Sequence, residues 1–144
     1  ELKEYRAPLE YGKAEVLYEE SEILLLAVGS MVKTALTVRE RLKEKGYSCS
    51  LVNARFVKPF DEELLLKLQK NHKLLVTLEE NVQSGGFGEH VLEFMNTSGD
   101  GSMEVLNIAI PDVYVEHGNV ELLRKETGID ADGIIGKIID RKAQ

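Results

Sequence analysis

Short apolar segments alternate with amphipathic segments along the chain, and this alternation limits the fold more than any other feature of the sequence. Five segments are apolar enough and short enough to be strands. They are Ala14–Tyr18, Glu22–Val28, Tyr47–Asn53, Lys73–Glu80 and Met103–Ile110. Segments with helical periodicity separate most of them. Strands that alternate with helices predict an α/β layer fold with right-handed parallel crossovers.

The spacing of the strands refines this architecture. Only Glu19, Glu20 and Ser21 separate the first two strands, and so short a link favours an antiparallel hairpin. The segment Lys73–Glu80 is almost continuously apolar up to its two final carboxylates, which is typical of a strand covered on both faces. We therefore expect three layers: a mostly parallel sheet with an antiparallel edge strand, and helices on both faces.

Polar capping residues mark the starts of several expected helices. Ser30, Asp61 and Asp130 are placed as N-caps. The expected helices are Val32–Lys45, a Leu-rich segment after Asp61, Phe87–Met95, Val120–Lys125 and a final helix to about Lys142. A polar loop from Thr97 to Ser102 follows the third of them.

Charge and composition exclude several classes of function. The net charge is −7, and this argues against a surface for nucleic acid or anionic membrane, where clustered Lys and Arg are expected. The longest apolar run, Ile23–Val28, is too short to span a membrane, and no signal-peptide pattern occurs. The only cysteine, Cys49, is expected to be a small buried hydrophobe, which fits a reducing, cytoplasmic location.

The first residues differ in character from the rest. Residues 1–12 are polar and contain Pro8, so we interpret them as a linker from a missing preceding domain, with one domain at 13–144. The sequence starts at Glu1 without an initiator Met. We interpret it as a fragment or a processed product whose function lies partly in missing sequence.

The stretch "TLEENVQSGGFGEHV" is the strongest candidate for a binding site. Gly85, Gly86 and Gly88 lie between a strand and a helix, where free amides attract anions. However, neither the dinucleotide pattern nor the nucleotide-triphosphate pattern is complete, and nearby carboxylates would repel a phosphate. A turn with positive φ and a helix packed close to its strand is the favoured interpretation. A regulatory anion site is the alternative.

Four charged residues are expected near the same rim of the sheet. Glu79 and Glu80 end one strand, and they point to opposite faces because they are adjacent. Arg55 and Lys58 follow another strand, and the carboxyl ends of strands form one edge in this type of sheet. We interpret the four as a salt-bridged interdomain or subunit surface, with substrate-anion binding as the alternative. An ordinary strand end is the other interpretation of Glu79 and Glu80, and it is favoured over acid-base chemistry by the pair. Whether the bond before Pro59 is cis is not determined by the sequence.

The histidines suggest no metal site. His72, His90 and His117 are scattered, and no HExxH motif occurs. His117, in "VEHGN" before a helix, is a candidate contact residue, although a structural hydrogen bond is the commoner role. No G-x-S-x-G motif occurs either. The chain therefore lacks a self-contained catalytic set.

Several motifs together resemble a known family. "NARFVKPFDEELL", "TLEENVQSGGFGEHVLE" and "IPDVYVEHGN" occur in an order that closely resembles the C-terminal domain of 1-deoxy-D-xylulose-5-phosphate synthases. "YGKAEVLYEESEILLLAVGSMVKTAL" and "TGIDADGI" are similar to the same domain. The likeness runs from about Pro8 to Ile138. Small departures, such as Glu20 in place of a usual glycine, leave the assignment intact.

This resemblance implies a transketolase-like, thiamine-diphosphate-dependent transferase. The full enzyme of that family condenses pyruvate with glyceraldehyde 3-phosphate and releases carbon dioxide, for isoprenoid, thiamine and pyridoxal biosynthesis. The resemblance places thiamine diphosphate, Mg²⁺ and the catalytic residues in the preceding domains, so none is expected in this fragment. The expected partners are those domains and a second subunit of a homodimer. A 2-oxoacid dehydrogenase first-component β-like domain, which docks a partner protein, is the alternative.

Overall fold

The computed structural model describes residues 11–82, 86–110 and 130–143. These residues form a five-stranded sheet with helices on both faces. The strands are β1 (Glu15–Tyr18), β2 (Glu22–Ala27), β3 (Cys49–Asn53), β4 (His72–Val82) and β5 (Glu104–Ile110). The helices in the described ranges are α1 (Met31–Glu44), α2 (Glu62–Leu68), α3 (Phe87–Ser98) and α4 (Ala131–Ala143), and a 3-10 turn (Gln69–Asn71) follows α2. The helix expected at Val120–Lys125 lies outside the described residues.

The sheet has the order β1-β3-β2-β4-β5. β2 is parallel to both β3 and β4, and β4 is parallel to β5. β1 is antiparallel to β3 and lies at an edge. The expected three-layer fold with a mostly parallel sheet and an antiparallel edge strand is confirmed.

The expected hairpin between β1 and β2 is wrong, because β3 lies between these two strands. The link at Glu19–Ser21 crosses the start of β3, where the amides of Glu20 and Ser21 donate to the hydroxyls of Ser50 (2.6 Å) and Ser48 (3.1 Å). Strands two positions apart are separated by about 10 Å, which a three-residue link spans when it is extended. Link length therefore did not distinguish a hairpin from this crossing.

Each face of the sheet has its own apolar core, because alternate residues of a strand point to opposite faces. Ile23, Leu25 and Ala27 of β2 face α1 and α4, where they pack with Val38, Leu42 and Ile134, among others. Leu24 and Leu26 face α2 and α3, where they pack with Leu65, Phe87 and Val91, among others. The sheet is therefore buried on both faces, as the apolar strands indicated.

The helix ends agree with two of the three expected caps. Asp61 accepts the amide of Leu64 (3.2 Å), and Asp130 accepts the amide of Gly133 (3.0 Å). Ser30 precedes α1 but makes no capping hydrogen bond with its side chain. α3 continues to Ser98, past the expected end at Met95, and the Thr97 hydroxyl bonds back to helix carbonyls instead of starting a loop.

Candidate functional site

The carboxyl ends of β2 and β4 lie side by side at the centre of the sheet. From β2 the chain moves through α1 to β3 on one side, and from β3 it returns through α2 to β4 on the other side. In open α/β sheets, ligands bind in the crevice where the strand order reverses in this way. The residues here are the Gly29–Ser30 turn, Glu79, Glu80 and the first turn of α3.

Glu79 occupies the position at which an anion would be expected. Its side chain is buried, with 1% of its surface exposed. One carboxylate oxygen accepts the amide of Phe87 (2.9 Å), and the other accepts the amide of Gly88. These are free N–H groups of the first turn of α3, where negative charge is stabilised. Glu79 is therefore an internal group of this domain, which differs from the interdomain or anion contact expected from the sequence.

Glu80 points to the opposite face, as expected for adjacent strand residues. Its carboxylate accepts a hydrogen bond from the Ser30 hydroxyl, at the start of α1. The side chain of Glu80 is only partly buried. The two carboxylates thus contact the starts of two different helices, and both close the crevice between β2 and β4.

Gly88 allows α3 to lie close to the sheet. A Cβ atom at this position would lie 2.8 Å from the Asn107 side chain and 2.8 Å from the Thr77 hydroxyl. Those two side chains are hydrogen-bonded to each other at 2.6 Å, so neither moves away freely. Close packing of the helix is confirmed. The expected positive φ is wrong for Gly86, whose φ is −84°, and for Gly88, and Gly85 lies outside the described residues.

Arg55 pairs with the edge strand β1 rather than with the carboxylates of β4. Its guanidinium lies 2.9 Å from the Glu15 carboxylate, and both side chains are largely buried. Its backbone has φ of 61°, a left-handed conformation that costs about 1 kcal/mol or more in a residue other than glycine. The Asn53 side chain supports this turn by accepting the Arg55 amide at 3.1 Å.

Lys58 lies in the same connection and is exposed. It makes no ion pair within the described part of the chain. The Lys58–Pro59 peptide bond is cis. Interdomain contact by Arg55, Lys58 and Glu80 stays a prediction, and His117 lies outside the described residues.

The described groups at this crevice do not form a site for a diphosphate. The free amides at the start of α3 are already bound to a carboxylate, and a second anion there would be repelled by it. Among residues 11–82, 86–110 and 130–143, no three His, Cys, Asp or Glu side chains are grouped so that they could hold a metal ion. Within the same ranges no helix has the length and hydropathy needed to cross a lipid bilayer.

A buried cluster around Arg39, at the amino ends of the strands, was not predicted from the sequence. Arg39 of α1 is 4% exposed, and its Nε donates to the Cys49 carbonyl oxygen at 3.0 Å. Its guanidinium pairs with the carboxylate of Glu20, and it lies 3.9 Å from the centre of the Tyr18 ring. The sequence did contain one indication that Arg39 is buried: it lies one helical turn after Ala35, on the apolar face of α1.

His72 is also a structural residue of this end. Its Nδ1 lies 2.8 Å from the Leu68 carbonyl oxygen, and its Nε2 lies 2.8 Å from the Ser50 hydroxyl. A carbonyl only accepts, so Nδ1 carries the proton and donates to Leu68. The ring links the end of α2 to β3, and it offers no free nitrogen for catalysis or for a metal.

Comparisons with known proteins agree with this architecture. The family described as "Transketolase, C-terminal domain" matches residues 12–134. Among curated relatives, 1-deoxy-D-xylulose-5-phosphate synthase of Lachnoclostridium phytofermentans is 48% identical over 95% of this chain, and the match covers 22% of that protein. The synthase of Dehalococcoides mccartyi is 44% identical over 92% of this chain and 21% of that protein. The chain thus spans about a fifth of the length of these relatives.

Solved structures share the fold. A split-gene transketolase, described as an inactive tetramer of beta subunits, aligns with a TM-score of 0.84 and 26% identity. The alignment covers 96% of this chain and 46% of that chain. Transketolase from Campylobacter jejuni aligns with a TM-score of 0.65 and 18% identity, over 96% of this chain and 20% of its own. With a five-stranded α/β/α architecture and a family match over most of its length, this chain belongs to the transketolase C-terminal domain family.

Proposed function

We propose that this chain is the C-terminal domain, at residues 13–144, of a 1-deoxy-D-xylulose-5-phosphate synthase. The observation that carries the proposal is the 48% identity over 95% of the chain to a protein of that name. The whole enzyme would condense pyruvate with glyceraldehyde 3-phosphate, with loss of carbon dioxide. This would serve isoprenoid precursor, thiamine and pyridoxal biosynthesis. We place it in the cytoplasm, which is consistent with its single cysteine, Cys49, being buried and unpaired.

The domain's own role in this proposal is to pack against other parts of the enzyme. Thiamine diphosphate and Mg²⁺ would be held by the preceding domains, since the start of α3 already binds the Glu79 carboxylate. A second subunit would complete a homodimer. A similar solved protein is described as an inactive tetramer of beta subunits, which agrees with a packing role rather than a catalytic role for this type of domain. The residues proposed for contact are Arg55, Lys58 and Glu80.

The test compares the protein encoded by the whole reading frame with residues 13–144 alone. The whole protein should release carbon dioxide from pyruvate only when glyceraldehyde 3-phosphate and thiamine diphosphate are present. The separate domain should show no turnover and, by calorimetry, no heat of thiamine diphosphate binding. Tight cofactor binding by residues 13–144, or an inactive whole protein that folds normally, would contradict the proposal.

A further inference from the structure

The segment that leads into β1 is held firmly against the connection between β3 and α2. The amide of Ala14 donates to the Asp61 carboxylate at 2.9 Å, and Lys13 pairs with Glu63 at 2.9 Å. Asp61 therefore has two functions, because its other oxygen caps α2. The direction from which the chain reaches β1 is fixed by the start of this helix.

Gly12 and Tyr11 extend the contact toward the surface. A Cβ atom on Gly12 would lie 3.3 Å from Cγ of Pro59, and Gly12 has φ of 73°, so this position suits glycine. The ring of Tyr11 packs edge-on against the Phe56 ring, with 5.5 Å between the ring centres. The entry segment and the connection thus form one continuous surface.

This surface carries one large exposed aromatic side chain. Tyr11 is 76% exposed, although its ring already contacts Phe56. Only Tyr11, Val16 and Leu92 are large exposed hydrophobic residues in the described part of the chain, and two of them lie at the β1 edge. Lys58, two residues after Phe56 in sequence, adds an exposed charge. An aromatic ring next to a polar rim is typical of a contact surface between proteins.

We propose that Tyr11, Phe56 and Lys58, here called the entry face, form the contact of this domain with the preceding domain of the same polypeptide. The inference rests on the proposed function. The matched family is a C-terminal domain, and the match covers only 22% and 21% of the two relatives, so we take most of their remaining length to precede the matched stretch. Because Tyr11 lies at the point where that length joins, the entry face is the described surface closest to it in sequence.

The connection is built to keep this surface in one shape. The Arg55–Glu15 ion pair ties it to β1, and the Asn53 side chain holds the left-handed turn at Arg55. A contact surface that is already ordered loses little conformational entropy when it binds. The entry face therefore suits a permanent contact within one polypeptide.

Site-specific labelling in the whole protein tests the proposal. Lys58→Cys places a thiol on the entry face, and Lys70→Cys places one at another exposed lysine, in the 3-10 turn at the amino ends of the strands. Within this chain the native Cys49 is buried, and mass analysis of the peptide that contains each introduced cysteine separates its label from that of cysteines elsewhere in the protein. Maleimide labelling of each variant is measured in buffer and again in denaturant, so that each site supplies its own reference rate.

The entry face should be covered in the whole protein. We expect Lys58→Cys to label at least about tenfold more slowly in buffer than in denaturant, and Lys70→Cys to differ by less than about twofold. Equal labelling of the two variants in buffer would overturn the proposal. A short crosslinker with a maleimide at one end and an amine-reactive ester at the other identifies what covers the site. A link to a lysine of the preceding domain, within a single chain mass, supports the proposal, whereas a product of twice the chain mass or a link to another protein refutes it.

Catalytic assay of the unmodified whole protein separates this inference from the proposed function. An active synthase in which Lys58→Cys labels rapidly would leave the proposed function intact and remove only the entry-face contact. An inactive protein in which Lys58→Cys is protected and links to the preceding domain would remove the synthase assignment and keep the contact.

Discussion

The two ends of the sheet each bury a charged side chain, but they stabilise it in different ways. At the carboxyl end, the Glu79 carboxylate receives two backbone amides from the start of α3. At the amino end, the Arg39 guanidinium depends mostly on side chains, namely the carboxylate of Glu20 and the ring of Tyr18. Backbone partners are supplied by any sequence that folds this way, whereas side-chain partners must be present at particular positions.

The surroundings of the two charges also differ. Lys58 and Tyr11 remain exposed at the carboxyl end, where we propose that the rest of the enzyme packs. At the amino end, Glu20 and Glu40 both pair with Arg39 and satisfy its charge within the domain. The charged residues at the amino end therefore stabilise only this domain. Those at the carboxyl end stabilise it and also lie next to the surface where we propose an interdomain contact.

Loss of Arg39 should have the largest effect. Arg39→Ala leaves Glu20 without its cation and removes a donor to the Cys49 carbonyl oxygen. The Glu20 side chain is 34% exposed, so the ion pair alone contributes only part of the effect. Together with the lost hydrogen bond, ring contact and buried packing of Arg39, we expect a loss of about 3 kcal/mol in the free energy of unfolding. Urea denaturation of residues 13–144 measures it. The control is Arg41→Ala, whose exposed pair with Asp132 should contribute less than about 1 kcal/mol. Equal losses in the two variants would show that the buried cluster is not a special source of stability.

Loss of Glu79 should rank second. Glu79→Ala leaves the amides of Phe87 and Gly88 buried without acceptors, and we expect a loss of about 2 kcal/mol in the free energy of unfolding. Glu79→Gln should lose less, because the amide oxygen still accepts one of the two bonds. The neighbour provides the control: Glu80→Ala should lose under about 1 kcal/mol, since its site is partly exposed. A larger loss at Glu80 than at Glu79 would reverse this comparison.

Much of the architecture was predictable because it follows from local patterns. Apolar runs and capping aspartates, such as Asp61 and Asp130, located all five strands and the described helices. The partner of β1 was not predictable in this way. It depends on which strand presents hydroxyls, from Ser48 and Ser50, to the amides of a crossing link. That information lies in residues about thirty positions away along the chain.

The candidate site was predicted only in part, for a similar reason. The glycine motif is visible in the sequence, and the opposite orientations of Glu79 and Glu80 follow from strand geometry. The acceptor role of Glu79 does not, because it requires the first turn of α3 to fold back over the end of β4. The partner of Arg55 was also missed, since Glu15 lies on a strand whose position was predicted wrongly. The chemical character of these residues was predictable, but their partners were not, because the partners are distant in sequence.

Gly88 tests how closely α3 must approach the carboxyl end of the sheet. Gly88→Ala puts a methyl group 2.8 Å from the side chains of Asn107 and Thr77. Overpacking should exceed the gain in helix propensity and give a net loss of about 1.5 kcal/mol. Gly136→Ala in α4 is the matched control, because no atom beyond its chain neighbours and the backbone of its own helix lies within 4 Å of the added Cβ. It should raise the free energy of unfolding by up to about 1 kcal/mol. Losses of the same size in both variants would mean that the crowding at Gly88 is relieved by small shifts.

The smallest expected effect is at Cys49, at the amino end, and it appears as a change of the free energy of unfolding with pH. Burial is the main cause that raises the pKa of its thiol from 9.0 to about 12, while Arg39 opposes the rise. The folded state therefore keeps its thiol proton at a pH where the unfolded chain has lost it. This contribution is complete below pH 9 and falls as the pH rises toward 12, amounting to about 1 kcal/mol lost at pH 10. Cys49→Ala lacks the titrating thiol, so the difference in free energy of unfolding between the two proteins should shift by that amount from pH 8 to pH 10. A difference that stays constant over this range would show that the Cys49 thiol ionises in the folded domain as readily as in the unfolded chain.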